Sequence, residues 1–449
     1  MKITKTHFFA IFIVILFVAE INFSQTNQQN FPTDNETIIT SDIDNFWAAY
    51  DQIITTKDNV KQMEYLNSMF IEKGSDGLKK IMQARRYTPQ EYVEAINKFP
   101  QFWNSIRANT FKSKQLANEL QKGIEQLRRI YPNLKPAKIY FTIGVFKTGG
   151  TTLDGAVLIG SEIAMADKDT VTVEFPPAFD NLKNYFKTNP IENISFGNVH
   201  EYVHTQQKTT IGDNLLAQSV LEGVAEFLTV KATGKDSNTP SISFGKQNFE
   251  KVRAKFATQL YNPFTGFWLY NNAANDFNIR DLGYSVGYEI CEKYYEKATD
   301  KNRAVREMIE LDYNDEIALQ KFVDQSGYFA KSVKKIKDDY EKNRPKVVKI
   351  KQFKNGSMNV SPMLKEITIE FSTKMDDYYR NFEIGPLGEN NLLRLKKFIG
   401  YSADGKSATF EIELKPNQQY QLIVNNGFRS ENGISLKPYL IDFKTSNAE

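Results

Sequence analysis

The chain has 449 residues, of which 41% are hydrophobic, 13% aromatic and 25% charged. This composition is typical of globular domains and excludes a disordered, collagen-like or polytopic membrane protein. Lys and Arg number 57 against 54 Asp and Glu, so charge gives no reason to expect nucleic-acid binding. The single cysteine excludes an intramolecular disulfide and a zinc site built from cysteines.

The start of the chain is typical of an export signal. Two lysines precede an apolar run over residues 8–19, which is too short to span a bilayer but fits a secretory signal peptide. We therefore expect a signal peptide at 1–24, a polar linker at 25–40 and no transmembrane segment in the mature chain. The expected location is bacterial and exported: periplasmic, cell-surface or secreted. His7 would leave with the signal peptide, so that two of the three histidines remain.

The rest of the chain predicts an α+β fold class. Apolar residues recur at helical spacing from residue 41 to about residue 132, and again from about residue 191 to residue 343. Between these parts, β-branched and aromatic runs predict strands at 139–146, 156–159 and 171–175. After residue 345, short strand patterns separated by turns predict an all-β sandwich.

The two remaining histidines lie four residues apart in a predicted helix. His200 and His204 are then one turn apart on one face, where both rings can bind one cation. Glu201 projects about 100° away from His200 and can act on a metal-bound water without binding the metal. The alternative is a pair of surface histidines flanking a glutamate, a pattern that chance produces in roughly one such chain in a thousand.

A catalytic zinc ion usually has three protein ligands and one open position. Cys291 lies in an apolar helical run that favours a core position, so the third ligand is expected to be a carboxylate. The next predicted helix, with Asp213 as its expected cap, presents Glu222 and Glu226 on one face with Gln218. The alternative for this face is an ordinary solvated polar surface.

These residues resemble the gluzincin metallopeptidases, whose zinc is held by an H-E-x-x-H motif and a Glu on the following helix. The resemblance implies a zincin-like catalytic domain with a small β-sheet and active-site helices at 41–345. It implies one Zn²⁺ ion held by His200, His204 and Glu222. Glu201 would be the general base, and the substrate would be a peptide or protein.

Two further residues, Glu226 and Tyr284, match positions close to the zinc ligands in gluzincins. Glu226 matches the acidic residue that hydrogen-bonds a ligand histidine in thermolysin-like members, and Tyr284 begins a Y-x-x-G element whose Tyr stabilises the oxyanion in the aminopeptidase-like branch. The surrounding run is also similar to predicted bacterial zinc proteases. The chain departs from the aminopeptidases because it contains no G-x-M-E-N element. In gluzincins an edge strand pairs with extended substrate, a role expected here for 156–159 or 171–175. The aromatic run at 261–270 favours packing.

The C-terminal region, 346–449, resembles bacterial Ig-like domains of the S-layer type. The resemblance lies in the N-V-S-P motif at 359–362, the strand-like run at 367–372 and the following Met375-Asp376 pair. Such modules position an enzyme or bind another molecule. The resemblance therefore implies a cell-surface or protein partner for this region.

Together these patterns predict an exported zinc metallopeptidase, a hydrolase that uses Glu201 as general base. One alternative is a non-catalytic exported binding protein that uses the Ig-like domain and retains a structural or retired zinc site. The other is a zinc hydrolase of a non-peptide amide or ester. The presence of Glu201 favours an enzyme, because a purely structural zinc site does not require it.

Overall fold

A computed structural model describes residues 38–270 and 275–447. The predicted signal peptide and most of the predicted linker lie outside these residues. The described part has the predicted α+β class: a helical region with a small mixed sheet precedes a region of antiparallel sheets. Both regions belong to one unit, Thr37–Glu449. The domain boundaries given above stay a prediction.

The stretch up to residue 130 is helical, as the apolar spacing predicts. Its helices are α1 (Ser41–Ile53), α2 (Asn59–Leu66), α3 (Asp76–Arg85), α4 (Pro89–Lys98), α5 (Pro100–Phe111) and α6 (Ser113–Ile130). A π-helical turn, Asn67–Ile71, extends α2. At the start of α4, Thr88 and Glu91 form a reciprocal capping box with Pro89 in the first turn.

A four-stranded mixed sheet follows these helices. Its strands are β1 (Ile38–Ile39), β2 (Ile139–Thr142), β3 (Gly150–Leu153) and β4 (Ala156–Gly160), in the order β1-β2-β4-β3. β1, β2 and β4 are parallel, whereas β3 is antiparallel to β4 and forms one edge. The expectation that 156–159 forms the edge is therefore wrong, because β4 is paired on both sides.

The segment 171–175 is not a strand, which corrects the second edge-strand candidate. The Glu174 carboxylate instead accepts hydrogen bonds from the backbone amides of Gln101 and Phe102 at the start of α5, at 3.0 and 3.1 Å. Phe175 packs edge-on against Phe99 with ring centroids 5.1 Å apart. In this segment Glu174 caps α5 and Phe175 packs against other aromatic rings, so neither residue takes part in a strand.

The remaining helices surround the segment that carries the histidines. They are α7 (Ser161–Ala164), α8 (Asp180–Phe186), α9 (Ile194–His204), α10 (Leu215–Thr233), α11 (Pro240–Gln247), α12 (Phe249–Ala257), α13 (Leu282–Lys297), α14 (Lys301–Glu310), α15 (Glu316–Ser326) and α16 (Val333–Asn343). α9 packs closely on α6, since a Cβ added at Gly123 would lie 2.7 Å from Val199 Cγ2. The predicted cap of α10 is wrong by one residue: the Asn214 side chain, not that of Asp213, accepts from the Ala217 amide.

Two glycines set the distance between α10 and α13. A Cβ added at Gly223 would lie 2.0 Å from the carbonyl carbon of Gly287, and a Cβ at Gly287 would lie 1.8 Å from the Ser219 carbonyl oxygen. The two backbones therefore touch where these glycines meet. This contact fixes α13, and with it Tyr284 one turn earlier, relative to the glutamates of α10.

The C-terminal β region, residues 347–447, contains two antiparallel sheets over a core of its own. Its strands are β5 (Val347–Ile350), β6 (Glu366–Phe371), β7 (Phe382–Glu383), β8 (Leu395–Tyr401), β9 (Ser407–Ile412), β10 (Gln419–Val424) and β11 (Tyr439–Lys444). The sheet orders are β5-β6-β9-β8 and β11-β10-β7. Both sheets contribute to one core, exemplified by Ile369, Phe410 and Phe443. Within the described residues, no helix has both the length and the hydropathy needed to cross a membrane.

Candidate metal centre

Three buried or half-buried donors from two consecutive helices meet at one point. α9 places the Nε2 atoms of His200 and His204 3.1 Å apart. α10 places Oε2 of Glu222 3.4 Å from the first of these nitrogens and 3.2 Å from the second. The predicted i, i+4 histidine pair and the glutamate on the next helix therefore form one group that could hold a metal ion.

The spacing of these donor atoms fits a tetrahedral zinc ion. Zinc binds imidazole nitrogen and carboxylate oxygen at about 2.0–2.2 Å, so the donors of an ideal tetrahedron lie about 3.3–3.6 Å apart. The observed separations of 3.1, 3.2 and 3.4 Å are close to that range without any rearrangement. Within the described residues, the group contains three such side chains, which leaves one tetrahedral position without a His, Cys, Asp or Glu donor.

The other ring nitrogen of each histidine is held by an acceptor. Nδ1 of His200 lies 2.9 Å from Oε2 of Glu226, whose other oxygen accepts hydrogen bonds from Ser237 and, at 2.9 Å, from Thr239. Nδ1 of a neutral His200 therefore donates to this carboxylate, and Nε2 keeps its lone pair toward the centre. The structure places Glu226 where the expected contact to a ligand histidine requires it.

Gln207 does the same for the second histidine, a role that the sequence did not suggest. Its Oε1 accepts from Nδ1 of His204 at 2.6 Å. Its amide group donates to the Leu221 carbonyl oxygen at 2.9 Å and to the Tyr313 hydroxyl at 3.0 Å, which fixes the side chain between α10 and the turn that follows α14. The only sequence signal is position, because Gln207 follows His204 by three residues.

The second oxygen of Glu222 is occupied by protein donors. Its Oε1 accepts from the Tyr270 hydroxyl and, at 3.2 Å, from the Gln218 amide. Tyr270 ends the aromatic loop, residues 261–270, and has a left-handed backbone with φ +59°. The sequence favours packing for this loop, but the hydroxyl of its last residue contacts the candidate centre.

The charges of the centre stabilise one another. Burial alone would lower the pKa of His200, but hydrogen bonds to Glu222 and Glu226 outweigh burial and raise it to about 10. Burial would raise the pKa of Glu222, whereas the charges of His204 and His200 hold it well below its usual range. The carboxylates of Glu222 and Glu226 thus favour positive charge on the histidine side, whether from protons or from a cation.

Glu201 lies between the histidines in sequence and faces the edge of the sheet. It is half-buried, and a Cβ added at Gly150 in β3 would lie 3.3 Å from its Oε1. The edge strand therefore begins directly beside the carboxylate expected to act as general base. A side chain larger than that of glycine at position 150 would crowd the Glu201 carboxylate.

Tyr284 also lies beside the centre. Its ring is nearly parallel to that of His200, with centroids 6.0 Å apart and an interplanar angle of 28°. Burial, followed by the nearby Glu222 charge, raises its pKa well above the usual value, so the phenol keeps its proton. Cys291, in contrast, is fully buried in the apolar core and belongs to no metal-binding group of the described residues.

No protein family and no curated protein matches this chain. Among solved structures, it is similar to a crystal structure of the S-layer protein rSbsC(31-844), with 13% sequence identity and a TM-score of 0.18. The match covers 74% of this chain and 46% of that one, so the chain spans about half of its length. At this level the similarity carries no argument about fold or function.

Proposed function

We propose that the protein is an exported zinc-dependent peptidase. The observation that carries the proposal is the group of three donors at zinc-like spacing, with the Glu201 carboxylate near enough for its charge to act on His204. A structural zinc site is normally closed by four protein ligands, whereas a catalytic site keeps one position for water. A bound zinc ion would acidify that water and polarise a substrate carbonyl group.

The chain's own residues account for the movement of protons. Oε1 or Oε2 of Glu201 accepts a proton from the attacking water and then donates it to the nitrogen of the leaving amine. Tyr284 carries a protonated phenol next to Glu222 and can donate to the oxygen that becomes negative during attack, whereas the Tyr270 hydroxyl already donates to Glu222. Tyr284 is the expected donor from the sequence resemblance.

The edge strand offers a way to hold the substrate. β3 forms one edge of the sheet and begins beside Glu201, and all four of its residues are half-buried. An extended peptide can add to such an edge by backbone hydrogen bonds, which places its carbonyl groups along the strand. This geometry favours a peptide over a small ester or amide, because those offer no backbone to pair.

The decisive experiment compares the native protein with Glu201→Gln. The variant should keep one zinc ion per chain, since Glu201 is not among the three donors, but should lose about 10²–10⁴-fold in cleavage rate. Zinc content is measured by elemental analysis, and cleavage by the product termini from a peptide library. Glu64→Gln, an exposed glutamate on α2, is the control and should retain both properties.

The possible outcomes separate the hypotheses. Unchanged cleavage in Glu201→Gln would refute the base assignment. A native protein that binds zinc fully but cleaves no peptide would favour the non-catalytic binding protein, with the C-terminal β region as the binding part. A native protein without affinity for zinc would refute the proposal altogether.

A further inference from the structure

The carboxylate of Glu222 uses its two oxygens differently. Oε2 faces both histidine Nε2 atoms, at 3.4 and 3.2 Å. Oε1 points the other way and accepts hydrogen bonds from Tyr270 and Gln218, which also contact each other at 3.0 Å. A carboxylate held in this way presents a single oxygen to an ion, because the second one already has two donors.

Tyr270 is held in this position by unusual local structure. The residue as a whole is 52% exposed, so burial alone does not fix it. Its backbone adopts φ +59°, which is costly for a residue with a large side chain, and its amide donates to Oδ1 of Asp281 at 2.6 Å. The strained backbone turns the phenol toward Glu222.

The C-terminal β region contacts the aromatic loop through Arg429. The Arg429 guanidinium is buried and lies over the rings of Phe264 and Phe267 in the loop, 5.2 and 5.1 Å from their centroids. It also lies 3.3 Å from the centroid of Tyr379 in its own region. Within the described residues its Nε has no hydrogen-bond partner, and three aromatic faces lie against this cation.

The start of the same loop joins both regions through Asn262. This buried side chain donates to the Gly433 carbonyl oxygen at 2.8 Å and accepts from the Tyr340 hydroxyl at the same distance. Its backbone carbonyl accepts from the amide of Leu215 at 2.9 Å, in the first turn of α10. The loop is thus tied to the C-terminal β region and to the helix that carries Glu222.

From this geometry we propose that Tyr270 is a positioning residue that keeps Glu222 monodentate, and that Arg429 holds the aromatic loop in place for this purpose. A monodentate Glu222 leaves room at a metal ion for both water and a substrate oxygen. The C-terminal β region is then a structural part of the metal centre. This inference rests on the metal site of the proposed function, but not on its peptidase activity.

The test uses Co²⁺ as a probe in the full mature chain without substrate. Four-coordinate cobalt absorbs visible light strongly, and five- or six-coordinate cobalt absorbs weakly. Native protein should give the strong spectrum. Tyr270→Phe leaves Oε1 of Glu222 with only the longer contact to Gln218, at 3.2 Å, so that this oxygen can turn toward the ion. The variant should therefore give a clearly weaker spectrum and a loss of about 10–100-fold in cobalt affinity. Tyr378→Phe, an exposed tyrosine, should match the native protein.

A second set of variants tests whether Arg429 holds the aromatic loop in place. Arg429→Ala should shift the cobalt spectrum in the same direction as Tyr270→Phe. Arg380→Ala should not, although Arg380 also lies over a ring, that of Phe398 at 4.1 Å, in the same region. Since Arg429→Ala removes a buried residue, Phe264→Ala repeats the test from the loop side, where the ring is 37% exposed.

The possible results test three statements separately: the role of Tyr270, the role of the C-terminal β region and the peptidase activity. A native-like cobalt spectrum and affinity in Tyr270→Phe would overturn the proposal. A shift in Tyr270→Phe without any shift in the folded Arg429 or Phe264 variants would overturn the role of the C-terminal β region. Cobalt binding without peptide cleavage in the native protein would refute only the proposed peptidase activity, and the inference about Tyr270 would stand.

Discussion

Substituting Gly287 by alanine tests whether the contact between α10 and α13 positions Tyr284. The new Cβ would lie 1.8 Å from the Ser219 carbonyl oxygen, and it would also be 2.9 Å from Gly223 Cα. All of these neighbours are backbone atoms, so they cannot rotate away. An ordinary contact of 3.4 Å requires the helices to separate by about 1.6 Å.

The expected cost follows from this displacement. Overpacking of this kind lowers the free energy of unfolding by about 1–3 kcal/mol. The higher helix propensity of alanine offsets up to about 1 kcal/mol of that loss. We expect a net loss on the order of 1–2 kcal/mol and a fall in Tm of a few degrees. Zinc binding should persist, because its donors lie on α9 and α10. Cleavage should fall, because α13 carries Tyr284 away from His200.

The control is Gly197→Ala in α9, three residues before His200. A Cβ there meets nothing within 4 Å, so this variant should be neutral or up to about 1 kcal/mol more stable. Thermal and denaturant unfolding, zinc content and cleavage rate are measured for both variants. If Gly287→Ala is as stable and as active as Gly197→Ala, the helix contact does not set the position of Tyr284.

Two further predictions concern buried carboxylates. Glu222→Ala should abolish zinc binding, whereas Glu226→Ala should weaken it about 10–100-fold, because it removes only the acceptor behind His200. Titration with a competing chelator measures the zinc affinity of both variants. The opposite ranking would exchange the roles of the two glutamates. Burial raises the pKa of Glu162 from 4.5 to about 7, so its stabilising contribution is complete below pH 4.5 and is lost as the pH rises through 7. The unfolding free energy of native protein relative to Glu162→Gln should therefore fall by about 2–3 kcal/mol between pH 5 and 8, whereas Glu64→Gln should show no such trend.

The donors of the candidate centre were predictable because local spacing determines them. His200 and His204 share a helix face at i, i+4, and Glu222 lies one helix later on a face that also carries Glu226. Helical periodicity places such side chains on one face of each helix, and they meet once the two helices pack against each other. The predicted α+β class followed in the same way from the change of periodicity along the chain.

Long-range contacts were not predictable from the sequence. Tyr270 reaches Glu222 from a loop 48 residues away, and the left-handed backbone that directs it has no glycine or asparagine as a signal. The edge strand was missed because Gly150–Leu153 is half-exposed and lacks an apolar run. The more apolar runs 156–159 and 171–175 are the sequence candidates for the edge, but 156–159 is paired on both sides and Phe175 belongs to an aromatic cluster.

The unpaired edge at β3 has a consequence for handling the protein. Within the described residues β3 ends the sheet order, and backbone groups at such an edge can pair with a strand from a second copy or from a partly unfolded chain. The strand limits this risk by its length of four residues and by the turn at Asp154-Gly155, where both residues have positive φ. Saturating amounts of a non-cleavable extended peptide should accordingly slow aggregation of concentrated samples.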